Sequence, residues 1–142
     1  MSRHGYSDDI EDQWQLIRWR GAVSSAIRGK RGQAFLKEML VALDALPEKK
    51  LVAGELVTSK GEVCAIGSVM VKRGIDATDI DPEDYESIAC SVDVAEALVQ
   101  EIEYINDEAW IPGLYPNPMT DEKRWEAVRR WVAKQIKEEV SR

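Results

Sequence analysis

The chain has 142 residues, of which 44% are hydrophobic and 32% are charged, so it can bury the core of one domain and is unlike a disordered segment. The net charge is -7, distributed as +2 on residues 1–50, -7 on residues 51–100 and -2 on residues 101–142. This acidic average argues against non-specific nucleic-acid binding over the whole surface, but it does not exclude a local basic face.

The cellular compartment is predicted from hydropathy and cysteine usage. No apolar run approaches the roughly 18 residues needed to cross a bilayer, and the start MSRHGYSDD lacks the basic and apolar regions of a signal peptide. We therefore expect a cytoplasmic protein, located in a host cell if it comes from a phage, without a membrane partner. Cys64 and Cys90 stand among apolar or small residues. This setting favours reduced core thiols over a disulfide or a zinc site.

Residues 8–46 are predicted to form a helical hairpin. Apolar residues recur at helical spacing from Ile10 to Ile27 and again from Phe35 to Leu46. The glycine-bracketed sequence GKRG at 29–32 connects the two segments, and Pro47 stops the second helix.

The middle of the chain, residues 51–74, is predicted to contain one small antiparallel β-hairpin followed by a short helix. Residues 51–57 and 62–65 have the composition of strands, and the sequence TSKG at 58–61 is typical of the turn between them. From Ile66 to Arg73 the pattern favours a helix, which Gly74 would end. Because residues 61–74 include few charges, we expect them to form the buried centre of the fold.

Residues 82–140 are predicted to be mainly helical. Pro82 after Asp81 favours one helix start, Asp93 can cap a second helix, and Thr120 can cap the last one. The fold class expected from the whole chain is α+β: a single domain over residues 1–142, mostly helical, with the one hairpin.

The loop before the last helix is unusually apolar. Its sequence AWIPGLYPNPM carries three prolines and a glycine, which predict irregular structure. Its apolar residues either pack on the body of the protein or contact a partner. The candidate contact residues are Trp110, Ile111, Leu114 and Tyr115.

Signals of an enzyme are few. The only histidine is His4, near the start of the chain, and the sequence has no nucleophile-elbow, zinc-protease, phosphate-loop or paired-cysteine motif. The acidic run from Asp76 to Glu86 lacks the central glycine of a calcium-binding loop, which favours a solvated loop. The sequence therefore favours a non-enzymatic protein, and it predicts no catalytic residue, metal or cofactor.

A group of basic residues is the sharpest candidate for binding a partner or a phosphate. Arg18, Arg20, Arg28, Lys30 and Arg31 lie along the end of the first predicted helix and in the turn that follows it. The free amides at the start of the second helix would add to an anion site there. The sequence slightly favours a solvated helix end over such a site, because cations there already balance the helix dipole.

Five stretches resemble a family of small uncharacterised proteins carried by tailed bacteriophages and prophages. They are HGYSDD at 4–9, RWRGAVSSAIRGKRGQAFL at 18–36, GEVCAIGSV at 61–69, NDE at 106–108 and RWEAVRRWV at 124–132. The second half is also similar to a bacterial domain of unknown function with a Cys-Ala-hydrophobic-Gly-Ala motif, an Asn-Asp pair and a final helix. Here Ser68 replaces the last alanine, and Asn106 and Asp107 form the pair.

The resemblance implies a phage setting, in which small acidic accessory proteins often bind a host machine and disable or redirect it. The leading hypothesis is therefore a non-enzymatic accessory protein that binds a host or phage macromolecule, in an anti-defence or regulatory role, with a protein as the favoured partner. A first alternative is a nucleic-acid-binding module that uses the basic residues 18–31. A second alternative is a small-molecule or nucleotide binder, or an enzyme, around Cys64, Asn106 and Asp107.

Overall fold

The computed structural model describes residues 13–108 and 119–137, with side chains from residue 15 onward. This part of the chain forms six α-helices and contains no strand or sheet. The predicted α+β class is therefore wrong, and the described fold is helical. The helices are α1 (Gln13–Arg28), α2 (Lys30–Ala45), α3 (Ala65–Arg73), α4 (Tyr85–Val92), α5 (Glu96–Asp107) and α6 (Asp121–Gln135).

Two helices organise the packing. Helix α2 packs against α1, α3 and α6, while α5 packs against α1, α3, α4 and α6. Helix α3 contacts both of them, and every residue from Ala65 to Met70 is buried. The short helix at the centre of the chain is thus the centre of the core. Helix α1 is peripheral, since Val23 is its only buried side chain among residues 15–28.

The predicted hairpin 51–57/62–65 is reduced to one antiparallel bridge between Val57 and Val63. Around it, the Thr58 amide donates to the Glu62 carbonyl and the Cys64 amide donates to the Leu56 carbonyl. The returning arm ends at Cys64, because this residue is already the N-cap of α3.

Helices α5 and α6 explain why the first arm forms no strand. The Leu51 amide donates to the Asp121 carbonyl, the Val52 carbonyl accepts from the Asn106 side chain, and the Gly54 amide donates to the Asp107 carboxylate. These partners use backbone groups that a strand ladder would need. Gly54 also has a φ of 79°, outside the extended region.

Helix α3 confirms the helix predicted from Ile66 to Arg73, and Gly74 ends it in the left-handed conformation. Gly67 allows a close approach of α3 to the connection that precedes it. A Cβ atom at this position would lie 1.9 Å from the Leu56 carbonyl oxygen. Since that oxygen also accepts from the Cys64 amide, the backbone has little freedom to move away.

Several predicted helix boundaries change. Helix α4 starts at Tyr85 with Asp84 as its N-cap, so Asp81 and Pro82 precede it. Asp93, predicted to cap the next helix, instead ends α4 with a φ of 59°. The cap predicted for the last helix is confirmed, since the Thr120 hydroxyl oxygen accepts from the Lys123 amide.

Three of the sequence-based predictions fall on residues that the structure does not describe. They are the start of the helical hairpin at residue 8, the apolar loop with Trp110, Ile111, Leu114 and Tyr115, and the end of the helical region near residue 140. In the described ranges, none of the helices has the length and hydropathy required to cross a membrane.

We predict that Gly67→Ala strongly destabilises the protein, because the added methyl group collides with backbone rather than with a flexible side chain. The expected loss is about 3 kcal/mol or more in the free energy of unfolding, measured by urea denaturation.

The matched control is Gly21→Ala in α1, where a Cβ atom would have no neighbour within 4 Å. This variant should be more stable by about 1 kcal/mol, because alanine is the better helix former. Equal stabilities of the two variants would contradict the close approach at Gly67.

Candidate functional site

A basic groove lies between α1 and the C-terminal end of α6. Its volume is about 390 Å³. The cationic side chains are Arg20 and Arg28 from α1, Lys134 from α6 and Lys137 just beyond it. The lining is completed by Val23, Ser24, Ile27 and Gln135, so none of the eight residues is acidic or aromatic. We call this surface the basic groove.

The Gln33 side chain holds the two walls of the groove together. Its amide nitrogen donates to the Ile27 carbonyl at 2.7 Å and to the Gln135 carbonyl at 2.9 Å. Its amide oxygen accepts from the Lys137 backbone nitrogen at 2.8 Å, and the Lys137 Nζ donates to the Arg28 carbonyl at 3.1 Å. One side chain at the start of α2 thus joins the end of α1 to the end of α6.

The groove differs from the rest of α6 in how its charges are compensated. Arg129 donates two hydrogen bonds to Asp44, and Lys123 forms an ion pair with Glu126. By contrast, the structure shows no ion pair for Arg28 or Lys134 within residues 13–108 and 119–137. At Arg28 and Lys134 the described part of the groove therefore carries positive charge that can attract an external anion.

The remaining predicted basic residues lie next to this groove. Lys30 and Arg31 line a smaller depression of about 230 Å³ at the turn between α1 and α2. Arg31 is partly compensated, because its guanidinium lies 3.2 Å from the Asp93 carboxylate. Both side chains of that pair are exposed, so the pair contributes little stability. Arg18 is exposed on α1, two positions before Arg20.

Sequence reasoning missed the contribution of α6. Arg130, Lys134 and Lys137 are spaced by four and three positions, and this spacing would have predicted one basic helical stripe. The docking of that stripe beside α1 depends on the Gln33 contacts, which join residues more than 100 positions apart. No local sequence pattern predicts a contact between residues so far apart.

A buried polar cluster forms the second candidate site, around Cys64. The thiol donates to the Glu103 carboxylate at 3.6 Å, and Cys64 Sγ accepts from the Gly67 amide at 3.3 Å as the cap of α3. Cys64 is fully buried and Glu103 is 1% exposed. The Ser68 hydroxyl, also buried, donates to the Ala65 carbonyl.

Asn106 ties this cluster to the connection between α2 and α3. Its side-chain oxygen accepts from the Ala65 amide at 3.1 Å, and its side-chain nitrogen donates to the Val52 carbonyl at 3.0 Å and to Asp107. Asp107 in turn accepts from the Gly54 amide at 3.3 Å. The structure therefore brings Cys64, Asn106 and Asp107 together, as the small-ligand hypothesis requires.

Arg124 is a member of the same cluster that sequence reasoning missed. It is 8% exposed, and its Nε donates to the Asn106 carbonyl while its Nη1 donates to the Leu51 carbonyl and to Asp121. The family resemblance covered Arg124 within RWEAVRRWV but gave no sign of a buried role. Arginine is the side chain best suited to satisfy several backbone oxygens at once.

The chemistry of this cluster is that of a structural brace. Burial raises the pKa of the Cys64 thiol well above its usual value, and the negative charge of Glu103 adds to the effect. A thiol in this state is a poor nucleophile. The hydrogen bonds of Asn106 all go to groups of the protein itself. The small-ligand hypothesis therefore gains no support from these three residues.

The expected burial of Cys90 is wrong, because this residue is exposed near the end of α4. In the part of the chain that the structure describes, no three His, Cys, Asp or Glu side chains are grouped so as to hold a metal ion. The candidate contact loop with Trp110 and its apolar neighbours lies outside the described residues.

Comparisons with protein-family models, with curated proteins and with solved structures found no match. The resemblance to phage and prophage proteins therefore stays a prediction from the sequence. The geometry of the basic groove is the main basis for assigning a function.

We predict that the two cysteines differ sharply in reactivity. In the native protein at about pH 8, a disulfide reagent such as Ellman's should modify one thiol per chain rapidly, and two after denaturation. Cys90→Ser should remove the rapid phase, because the Cys64 thiol is buried and its pKa is raised. A rapid phase that survives in Cys90→Ser would show that Cys64 is accessible.

We also predict that Asn106→Asp destabilises the fold by about 3 kcal/mol, because it removes the donor to the Val52 carbonyl and buries an added charge. The matched control is Gln100→Glu, the same chemical change on a half-buried residue of α5. Chemical denaturation should show a change within about 0.5 kcal/mol for this control. Similar losses of stability in both variants would contradict the bracing role of Asn106.

Proposed function

We propose that the protein is a non-enzymatic binding protein that forms a stoichiometric complex with a host or phage macromolecule through the basic groove. The observation that carries this proposal is the convergence of Arg20, Arg28, Lys134 and Lys137 around one depression, whose eight described lining residues include no carboxylate. Positive charge concentrated in a concave surface attracts anionic partners and accelerates their association.

The charge distribution of the chain supports a dedicated binding face. No lysine or arginine occurs between Arg73 and Lys123, a stretch that contains fourteen acidic residues. The cations that line the groove come from residues 20–28 and 134–137, on either side of that stretch. The protein is therefore strongly polarised in charge, and a partner with the opposite polarity would be oriented before contact.

The resemblance to phage and prophage proteins supports an anti-defence or regulatory role in the cytoplasm of a bacterial host. In this role the protein would occupy a surface of its target rather than transform a substrate. A protein target is the first choice, and nucleic acid is the alternative that the four groove cations favour.

The direct test of this function is affinity capture from a bacterial lysate with three versions of the protein, quantified by mass spectrometry. Wild type should capture a partner in near-equal amount. The groove variant Arg28→Glu/Lys134→Glu should lose most of it, because charge reversal opposes the anion.

The matched control is Lys60→Glu/Lys72→Glu, which changes the net charge equally at two exposed lysines outside the groove. This variant should capture as much partner as wild type. Equal loss in both double variants would assign the effect to net charge, and full retention in the groove variant would refute the proposed surface.

A further inference from the structure

Resting on the function proposed above, we infer that the occupant of the basic groove is an acidic amphipathic segment of a partner protein, not a nucleic acid. The basis is the mixed character of the lining, in which the half-buried Ile27 and the almost fully buried Val23 stand beside four cationic side chains. Acidic side chains of the occupant would pair with the cationic rim. The apolar side chains of the occupant would pack on the apolar residues of the groove.

The dimensions of the groove fit a short helical segment. Arg20 and Arg28 are separated by eight positions of α1, which corresponds to about 12 Å along its axis. This length matches about two turns of a docked helix. A helix of that length presents apolar residues every three or four positions toward the groove and acidic residues on both flanks.

The surface of α1 extends the same pattern beyond the groove. Leu16 and Ile17 precede Arg20 by four and three positions, so they lie near its side of the helix. They are 38% and 58% exposed, respectively. Residues 15–18 of α1 are all exposed, so Leu16 and Ile17 offer apolar area that a longer amphipathic segment would cover.

Two features of the groove disfavour nucleic acid. Single strands bind through aromatic side chains on which bases stack, and none of the eight described residues that line the groove is aromatic. A duplex is uniformly anionic over many helical turns, and beyond the groove it would meet Asp93, which ends α4 and pairs with Arg31 of the smaller depression. A short acidic peptide avoids that repulsion because its charge is confined to the groove.

The test uses fluorescence anisotropy with four labelled probes of similar length. The first is a peptide of about 20 residues with leucine at every third or fourth position and glutamate at most others. The second is polyglutamate, which has the charge without the apolar face. The third and fourth are single-stranded and duplex DNA oligonucleotides.

At about 150 mM salt, the amphipathic peptide should bind at least about tenfold more tightly than polyglutamate or either DNA. Arg28→Glu/Lys134→Glu should weaken that binding by about tenfold or more, while Lys60→Glu/Lys72→Glu should change it less than about twofold. Circular dichroism of both variants verifies that they are folded.

The outcomes distinguish a failure of the amphipathic occupant from a failure of the anion-binding groove itself. Tighter binding of DNA or of polyglutamate, lost in the groove variant, would overturn the amphipathic occupant but retain an anion-binding groove. Binding of the amphipathic peptide that is unchanged in the groove variant would overturn the groove as its site. Absence of binding to all four probes would contradict both this inference and the anion-binding function on which it rests.

Discussion

The hydrogen bonds of Asn106 and Arg124 are the contacts on which the other elements depend. Between them they satisfy backbone groups of Leu51, Val52 and Ala65, at the entry to the α2–α3 connection and at the first residue of α3. The buried guanidinium of Arg124 donates to the Asn106 and Leu51 carbonyls, because a buried guanidinium without oxygen acceptors would be costly. The two side chains therefore fix α5, α6 and α3 relative to one another.

This brace explains why the buried central segment carries polar residues. Cys64 caps α3 and is closed off from solvent, while Gly67 allows the Leu56 carbonyl to approach the helix. A rigid centre of this kind holds α2 in position, and α2 supplies Gln33 at its first turn. The groove thus depends on a side chain of α2, although its cations come from α1, from α6 and from the residue Lys137 just beyond α6.

Local signals predicted part of this architecture. The helical spacing from Phe35 to Leu46, the glycine after Arg73 and the hydroxyl of Thr120 each act within a few residues, so sequence alone identified the corresponding helix or its end. The hairpin prediction was wrong because the contacts that decide the structure of this segment are not local. Strand composition at 51–57 is real, but backbone groups of Leu51, Val52 and Gly54 bond to Asp121, Asn106 and Asp107, which are distant in sequence.

The candidate sites also depend partly on local patterns, which the sequence shows, and partly on contacts between distant residues, which it does not. The basic cluster on α1 was visible as composition, whereas Lys134 and Lys137 joined it only through the contacts of Gln33. The Asn-Asp pair and Cys64 were identified as one potential site, and the structure does place them together. Their role as a brace could not be read from spacing, because it depends on which backbone groups lack other partners.

In this description, the buried contacts of Asn106 and Arg124 hold the fold together, while the basic groove binds the acidic partner. The most direct measurement is hydrogen–deuterium exchange with and without the amphipathic acidic peptide. The account predicts added protection in residues 16–28 and 130–137, and none in 64–68 or 103–107. Protection that instead appears at 64–68 and 103–107, with the groove unchanged, would contradict it.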